Sequence, residues 1–307
     1  MKSLRLLFLL ALLLPALAFA CPGEECVRVG SWNIAWLGSE NREQPGDPAT
    51  IRAMADLIAN TWSIDLVALQ EINTAVDGAL YGERHSTAAW QQLKAALQQH
   101  GYRVRSGDSG QVQRVVIAWR APVKEIKAAQ DLPIPESYQV DDNCRSSGLR
   151  KPLAGLYRAG GFDFWAVGLH LKSGYGKKGR CADAVREQQV YYMLKQFPRL
   201  QQQDPDILLL GDFNATSGHR SLAGLRDAGF VSLADKQRRH PDSNSYTQGR
   251  NGRGSLIDQL MVQTQHTAEW QRLSTFIPSP ADPAAFAQRY SDHLPVWADF
   301  STAQDDD

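Results

Sequence analysis

The sequence predicts a single α/β sandwich, with mixed β-sheets on the inside and helices on the outside. Strand-like and helix-like segments are interleaved along the chain without a repeat. Several consecutive strands are joined by connections too short for a crossover helix, so the sheets contain antiparallel pairs as well as parallel ones. No Pro/Gly/Ser-rich linker divides the 307 residues into two units. With 43% hydrophobic and 21% charged residues, the chain has the composition of a globular protein. A core of that size folds without a metal or a disulfide.

Val27 to Leu37 reads as the first strand, with Val27, Val29 and Ser31 on one face. Asp47-Pro48 reads as a helix cap followed by proline in the first turn. Ile51, Met54, Leu57 and Ile58 supply the apolar stripe of that helix. Asp65 to Ile72 is a short apolar run, the pattern of a buried strand. Ser86 is placed to cap a second helix that carries Trp90, Leu93 and Leu97 and stops near Gly101. Strands are expected at 114–119, 153–157, 162–171 and 206–210, and again at 255–262 and 294–300. Between them a long helix is expected over 182–197, with Val185, Val190, Met193, Leu194 and Phe197 inward. Residues 303–307 read as a frayed, solvated acidic tail.

The first twenty residues have the pattern of a secretory signal peptide. Lys2 and Arg5 open it, Leu6 to Leu14 is an apolar run, and Ala18-Phe19-Ala20 supplies a small-x-small cleavage site. The run is shorter than the ~20 residues of a spanning helix. Cleavage is expected after Ala20, leaving a domain over 21–302 in a secreted or periplasmic location. Cys21 stands where a lipoprotein carries its lipid, but Phe19 fits that signal badly. Removing Lys2 and Arg5 leaves two more acids than bases, from 33 of each. That balance speaks against tight non-specific nucleic-acid binding, though not against nucleic-acid turnover.

Four cysteines in an exported chain favour disulfides. Cys21–Cys26 with Cys144–Cys181 is the expected pairing, because each closes a local loop. Zinc is the rival reading, but the spacing lacks C-x-x-C and no cysteine has a histidine nearby.

Several strands end in a polar residue that a core strand does not want. Asn33 interrupts SWNIAWLG, and Glu71 ends LVALQEI. His170 lies in VGLHLKSG, Asp212 and Asn214 in ILLLGDFNA, Asp258 in SLIDQLMV, and Asp292-His293 open SDHLPVWADF. Carboxylates beside apolar strands are costly unless paired or bound to a cation. Carboxylate and amide oxygens are hard ligands suited to magnesium, manganese or calcium. The chemistry this set indicates is transfer of a phosphoryl group to water. Singly, each residue has an ordinary explanation as a turn former, an ion-pair partner or a half-buried histidine.

Together, SWNI, LQEI, GLHL, GDFNA, LIDQL and SDHLPV, spread from residue 31 to 296, resemble the deoxyribonuclease-I-like endonuclease/exonuclease/phosphatase superfamily in kind and order. The resemblance implies a four-layer α/β sandwich, two mixed sheets flanked by helices, with the six segments at one rim. It implies that Glu71 is the principal metal ligand, that Asn33 supports the same metal-water shell, and that Asp292 is a further metal or histidine partner. Asp212 would orient or deprotonate the attacking water, and Asn214 would hold that water or a phosphate oxygen. His293 would contact the scissile phosphate with Asp258 fixing its tautomer, and His170 would be a second phosphate-facing imidazole.

Arg150, Lys172, Lys177, Lys178 and Arg180 lie near these segments and suit a polyanionic substrate, with Arg150 and Lys172 the better placed. Family resemblance leaves the substrate open, since members act on DNA, inositol phosphates and sphingomyelin. Repair-type members carry lysine two places after the Glu of QE, where this chain has Asn73; inositol-phosphatase members carry Trp-Cys-Asp-Arg, where it has Leu256-Ile257-Asp258-Gln259. The expected function is a secreted or periplasmic phosphodiesterase, first an endonuclease on DNA. A lipid or small-phosphoester hydrolase, or an inactive binding module on the same scaffold, is the alternative. No protein partner is indicated.

Overall fold

A computed structural model of the chain describes residues 25–40, 47–80, 82–174, 181–249, 253–303 and 305. The strands of its two large sheets begin, in chain order, with β1 (Cys26–Leu37), β2 (Leu66–Ile72), β3 (Arg103–Ser106), β4 (Arg114–Trp119) and β5 (Lys124–Asp131). They continue with β6 (Leu153–Ala159), β7 (Phe162–His170), β8 (Ile207–Asp212), β9 (Val231–Ser232), β10 (Asp258–Val262) and β11 (Val296–Ser301). The helices are α1 (Pro48–Asp56), α2 (Ala88–Gln99), α3 (Ala182–Leu194), α4 (Phe197–Gln201), α5 (Ala223–Asp227) and α6 (Pro283–Arg289).

One sheet has the order β11-β1-β2-β4-β3 and the other β9-β10-β8-β7-β6-β5. Both are mixed: β1–β2 and β7–β8 are parallel, and the remaining pairs are antiparallel. The sheets face each other across a core in which Val29, Leu66 and Ile117 meet Phe164, Leu208, Leu210 and Leu260. Their outer faces are covered as well. Ile51, Met54, Ile58, Leu93 and Leu97 of the α1 and α2 region pack on Trp32, Val67 and Leu69. Val190, Met193, Phe197 and Leu225 pack on Val167, Leu169 and Leu209. Alternate residues of one strand therefore enter different apolar layers, which is why these strands read as continuous apolar runs. The result is the four-layer sandwich, helix–sheet–sheet–helix.

The local reasons for each element are visible. Asp47 caps α1 by accepting from the Ala49 and Thr50 backbone N–H groups at 3.0 and 2.9 Å, with Pro48 in the first turn. The second helix starts one residue later than expected. Thr87 is its cap residue, and Ser86 Oγ accepts from Ala88 N at 3.1 Å. The expected long helix over 182–197 is two helices. Pro198 has no N–H to give the Leu194 carbonyl and its ring crowds that carbonyl, so α3 ends at Leu194 and α4 starts anew.

The expected strand over 255–262 is also divided. Gly254–Ser255 pairs with Gln248–Gly249, and β10 begins only at Asp258. Thr247 Oγ1 accepts from Ile257 N and Asp258 N at 3.1 and 2.9 Å, which takes both donors away from a sheet ladder. The last strand starts at Val296, after Pro295. In the acidic tail, the Asp305 carboxylate accepts from the Asp163 backbone N–H at 3.2 Å.

Cys144 and Cys181 form the expected disulfide, with Cα atoms 5.4 Å apart. Cys26 is disulfide-bonded too, while Cys21 lies outside the described residues, as do 1–20. No described helix is long and apolar enough to cross a membrane.

Gly211 fixes how closely β7 and β8 approach beside the polar strand ends. A Cβ there would lie 2.0 Å from the Leu169 carbonyl oxygen, and its φ is 158°. Gly211→Ala is expected to lower the urea midpoint with little change in slope, a loss on the order of 3 kcal/mol. An unchanged midpoint would show that the two strands have slack at this point.

Candidate active site

Strand register assembles the site. The parallel β7–β8 pairing sets His170 beside Asp212, and the antiparallel β8–β10 pairing sets Asp212 beside Asp258. Registered neighbours on adjacent strands are about 4.8 Å apart, so three titratable side chains form one row across the second sheet. The first sheet brings Asn33 and Glu71 to the same rim from the ends of β1 and β2, where the register shifts between Asn33 and Leu37 and again between Leu69 and Ile72.

Backbone strain is concentrated here. Ala35, Trp36, Glu71 and Asn214 are non-glycine residues with φ of 48°, 56°, 63° and 50°. Each such residue costs on the order of 1–3 kcal/mol and persists only where its surroundings enforce it. The local hydrogen bonds show what the bends accomplish. Trp36 N donates to Glu71 Oε2 at 2.9 Å, Ala35 N to Asn33 Oδ1 at 2.9 Å, and Asn214 N to Asp212 Oδ1 at 2.7 Å.

The two sheets are joined at the rim by Asn33 Nδ2 donating to Asp212 Oδ2 at 3.0 Å. His293 Nδ1 is 2.8 Å from Asp258 Oδ2. Ser291 Oγ donates to the Asn33 carbonyl at 2.7 Å and accepts from His293 N at 3.0 Å, while Trp32 Nε1 donates to the His293 carbonyl at 2.9 Å. Asn214 Nδ2 donates to the Leu171 carbonyl at 3.2 Å. His170 Nε2 lies 3.7 Å from both Glu71 Oε1 and Asp212 Oδ2.

Burial raises the Glu71 pKa, a rise that His293, Asn33 and Arg150 only partly offset. Burial also raises that of Asp212, with the nearby Asp258 charge pushing the same way and His293 opposing. The two imidazoles diverge. Burial, Arg150 and His293 hold His170 well below the ordinary histidine range. Burial also works to lower His293, but the Asp258 charge and hydrogen bond, with Asp212 and Asp292 behind them, outweigh it and bring the pKa to about 10. These surroundings favour a neutral His170 and a charged His293.

The expected site residues differ in what they touch. Glu71, His170 and Asp212 each offer a ligand atom within 4.8 Å of the others, and so do Asp212, Asp258 and His293. Asn33 and Asn214 bind Asp212 and its surroundings through the bonds above. Asp292 is in neither ligand group: its carboxylate accepts from Gln248 Nε2 at 3.3 Å, and it acts on His293 through its charge. Arg150 is buried at 8% exposure and donates to the His170 and Leu171 carbonyls at 3.3 and 3.0 Å and to Gln113 Oε1 at 3.2 Å. It faces Glu71 and Asp212 as an internal counter-charge, where a flanking-phosphate contact was expected. Lys172 is half-buried and donates to the Ser173 carbonyl at 2.7 Å; Lys177, Lys178 and Arg180 lie outside the described residues. The sequence reading missed Ser291, Thr247, Trp32 and the Trp36 N–H. Ser291 directly precedes the Asp-His pair, which was its one available signal.

Among the described residues the donor set suits a hard divalent cation: carboxylate oxygens with an imidazole, no thiolate, and a buried Asp258 Oδ1 that has no hydrogen-bond partner among them.

Over residues 30–293 the sequence matches the Endonuclease/Exonuclease/phosphatase family. The chain belongs to that family. Members hydrolyse phosphoester bonds with divalent metals, and this chain is a phosphoester hydrolase with acidic clusters able to bind such an ion. Among solved structures it resembles the Bacteroides thetaiotaomicron VPI-5482 mannosyl-6-phosphatase Bt3783, with a TM-score of 0.59, 17% identity, and coverage of 89% of this chain and 98% of that one. The human Nocturnin catalytic domain with bound sulfate gives 0.60 and 15%, covering 90% and 94%. A humanized D. rerio TDP2 gives 0.57 and 17%, covering 90% and 98%. At these identities the likenesses establish the shared fold. A search of curated proteins by sequence finds no match.

The His293–Asp258 pair makes a prediction for the metal-free family member. A folded-state pKa near 10, above the ordinary ~6.5, means that the pair's contribution to stability is complete below about pH 6.5 and is lost as pH rises through about 10. NMR titration of the His293 ring in chelator is expected to show an imidazolium at pH 8, and Asp258→Asn should move the titration down toward the ordinary range. A wild-type ring that is neutral at pH 8 would overturn this assignment.

Proposed function

We propose that the chain is an exported, divalent-metal-dependent phosphodiesterase, an endonuclease whose substrate class is DNA, hydrolysing by in-line attack of water. The observation that carries this reading is the convergence of Glu71, His170, Asp212, Asp258 and His293 from both sheets on one rim. Export is supported by the Cys144–Cys181 disulfide and the signal-like first twenty residues.

Glu71 is the principal metal ligand, with Asp212 and His170 beside it. Magnesium or manganese, or calcium, held by these residues would supply positive charge toward a phosphate oxygen. Asp212 takes the proton of the attacking water; burial raises its pKa in the metal-free site, the direction that suits a general base near neutral pH. Asn33 holds the other oxygen of Asp212 and so sets which lone pair faces the water. His293, kept protonated by Asp258, donates to the oxygens on which charge develops. His170, neutral, has a buried Nδ1 with no partner among the described residues and serves as a second polar contact. DNA is favoured over a lipid or a small phosphoester by the basic run beginning at Lys172, beside the His170 strand.

Two experiments test this. Glu71→Gln removes one charge at nearly constant shape, and should weaken magnesium or manganese binding by calorimetry and cut turnover at least about a hundredfold while the thermal midpoint holds. Full activity of that variant in chelator would sink the metal assignment.

Removing Lys172 and Lys177 together should raise KM on plasmid DNA several-fold yet leave hydrolysis of bis(p-nitrophenyl) phosphate unchanged, because the small diester reaches only the centre. Equal losses on both would place these lysines in the reaction itself. Faster turnover of a lipid or sugar phosphoester than of DNA would replace the substrate class and leave the mechanism standing.

A further inference from the structure

The rim opposite the active site carries a cavity of about 580 Å³ lined by Arg103, Trp119, Arg120, Pro122, Lys124 and Arg158. It lies near the start of β7, whose far end is His170. Eight residues at about 3.3 Å each place the two rims roughly 25 Å apart. The cations come from both sheets, Arg103 and Arg120 from the β3 and β4 region and Lys124 and Arg158 from β5 and β6. No acidic residue lines the cavity.

Two of the four charges are balanced from outside. Arg120 Nε lies 3.3 Å from Asp65 Oδ1, with its guanidinium 5.2 Å from the Tyr102 ring centroid, and Arg158 pairs with Asp163. Arg103 and Lys124 are exposed and have no carboxylate partner among the described residues, which leaves a local excess of two positive charges. The arrangement is also unfavourable in its own right. Lys124 and Arg158 are direct cross-strand partners in the antiparallel β5–β6 pair, and like charges in that relation destabilise a sheet. A dianion seated between them turns that repulsion into two charge-assisted contacts. Pro122 adds an exposed apolar wall, backed by Trp119, which is 2% exposed and edge-on to Tyr157 at 5.3 Å. The volume is in the range of sites for small organic ligands rather than a lone ion.

We propose that this cavity is a second anion site, separate from the catalytic rim, for a phosphomonoester dianion joined to a flat ring: a nucleotide, either free or as the phosphorylated end of a nucleic-acid strand. The site needs no metal, so it is tested in excess chelator and stands or falls independently of the proposed reaction.

Binding is measured by calorimetry for AMP, and by fluorescence anisotropy for a dodecathymidylate with and without a 5′-phosphate. The proteins are the wild type, Arg103→Gln/Lys124→Gln, and Lys236→Gln, an exposed lysine elsewhere that controls for the loss of a surface cation outside the cavity. The double variant is expected to bind AMP and the phosphorylated strand at least about tenfold more weakly. Its thermal midpoint should be equal or higher, because one member of the repelling pair is gone, and its metal-dependent hydrolysis of bis(p-nitrophenyl) phosphate should be unchanged. Lys236→Gln should match the wild type. Binding of both AMP and the phosphorylated strand assigns the site to free nucleotides, and binding of the strand alone assigns it to strand ends. Absence of binding at millimolar concentration, equal affinity in wild type and double variant, or equal affinity for the strand with and without its phosphate would each overturn the proposal.

Discussion

The hydrogen bond from Asn33 to Asp212 is the tie on which the rim depends, because it joins the two sheets where their polar strand ends meet. Asp212 stands in the middle of the β7, β8 and β10 row, so its position fixes its distance to both His170 and Asp258. Asn33 in turn is held from behind by Ser291, whose hydroxyl also receives the His293 N–H. A shift of either sheet would therefore disturb a carboxylate, an amide and an imidazole together. Such coupled polar clusters resist displacement because removing one member leaves others buried and unpaired.

The same row explains why two histidines at one rim are shifted in opposite directions. His293 has Asp258 in hydrogen-bond contact, and that partner outweighs the cost of burying the charge. His170 has carboxylates only at 3.7 Å, and the Arg150 guanidinium faces it from the interior. Environments that drive two like groups apart divide acid and base work between them. Arg150 thus acts at the centre as an internal charge: it offsets Glu71 and Asp212 and disfavours a second imidazolium at His170.

Much of this was legible in the sequence where burial and chain geometry speak directly. Strands buried on both faces announced themselves as apolar runs, and each of the misplaced polar residues Asn33, Glu71, His170, Asp212, Asp258 and His293 lies at the rim. What was missed has a physical pattern. β3 and β5 are edge strands with exposed Arg or Lys side chains, so they lack the apolar run that marks a central strand. The α6 helix has the same Asp-Pro start as α1, Asp282-Pro283, but its short body buries only Ala287, and no stripe drew attention to it. The burial of Arg150 was not legible, because a basic residue beside a motif looks solvent-facing in sequence; only the fold shows it donating to the His170 and Leu171 carbonyls.

Both rims break rules that the body of the sandwich obeys. At one end four non-glycine residues adopt left-handed backbone beside clustered carboxylates; at the other, lysine faces arginine across a strand pair. Between them the three apolar layers are continuous, with Phe162 and Phe300 stacked at 5.6 Å and Trp62 on Trp297 at 6.0 Å. Locally unfavourable choices survive only where surrounding structure offsets them, and they concentrate where a sequence serves something other than stability. The four-layer design suits this division. Strands pinned on both faces by apolar packing cannot relax at their ends, so strain and like charge placed there stay in place, ready for a ligand that relieves them.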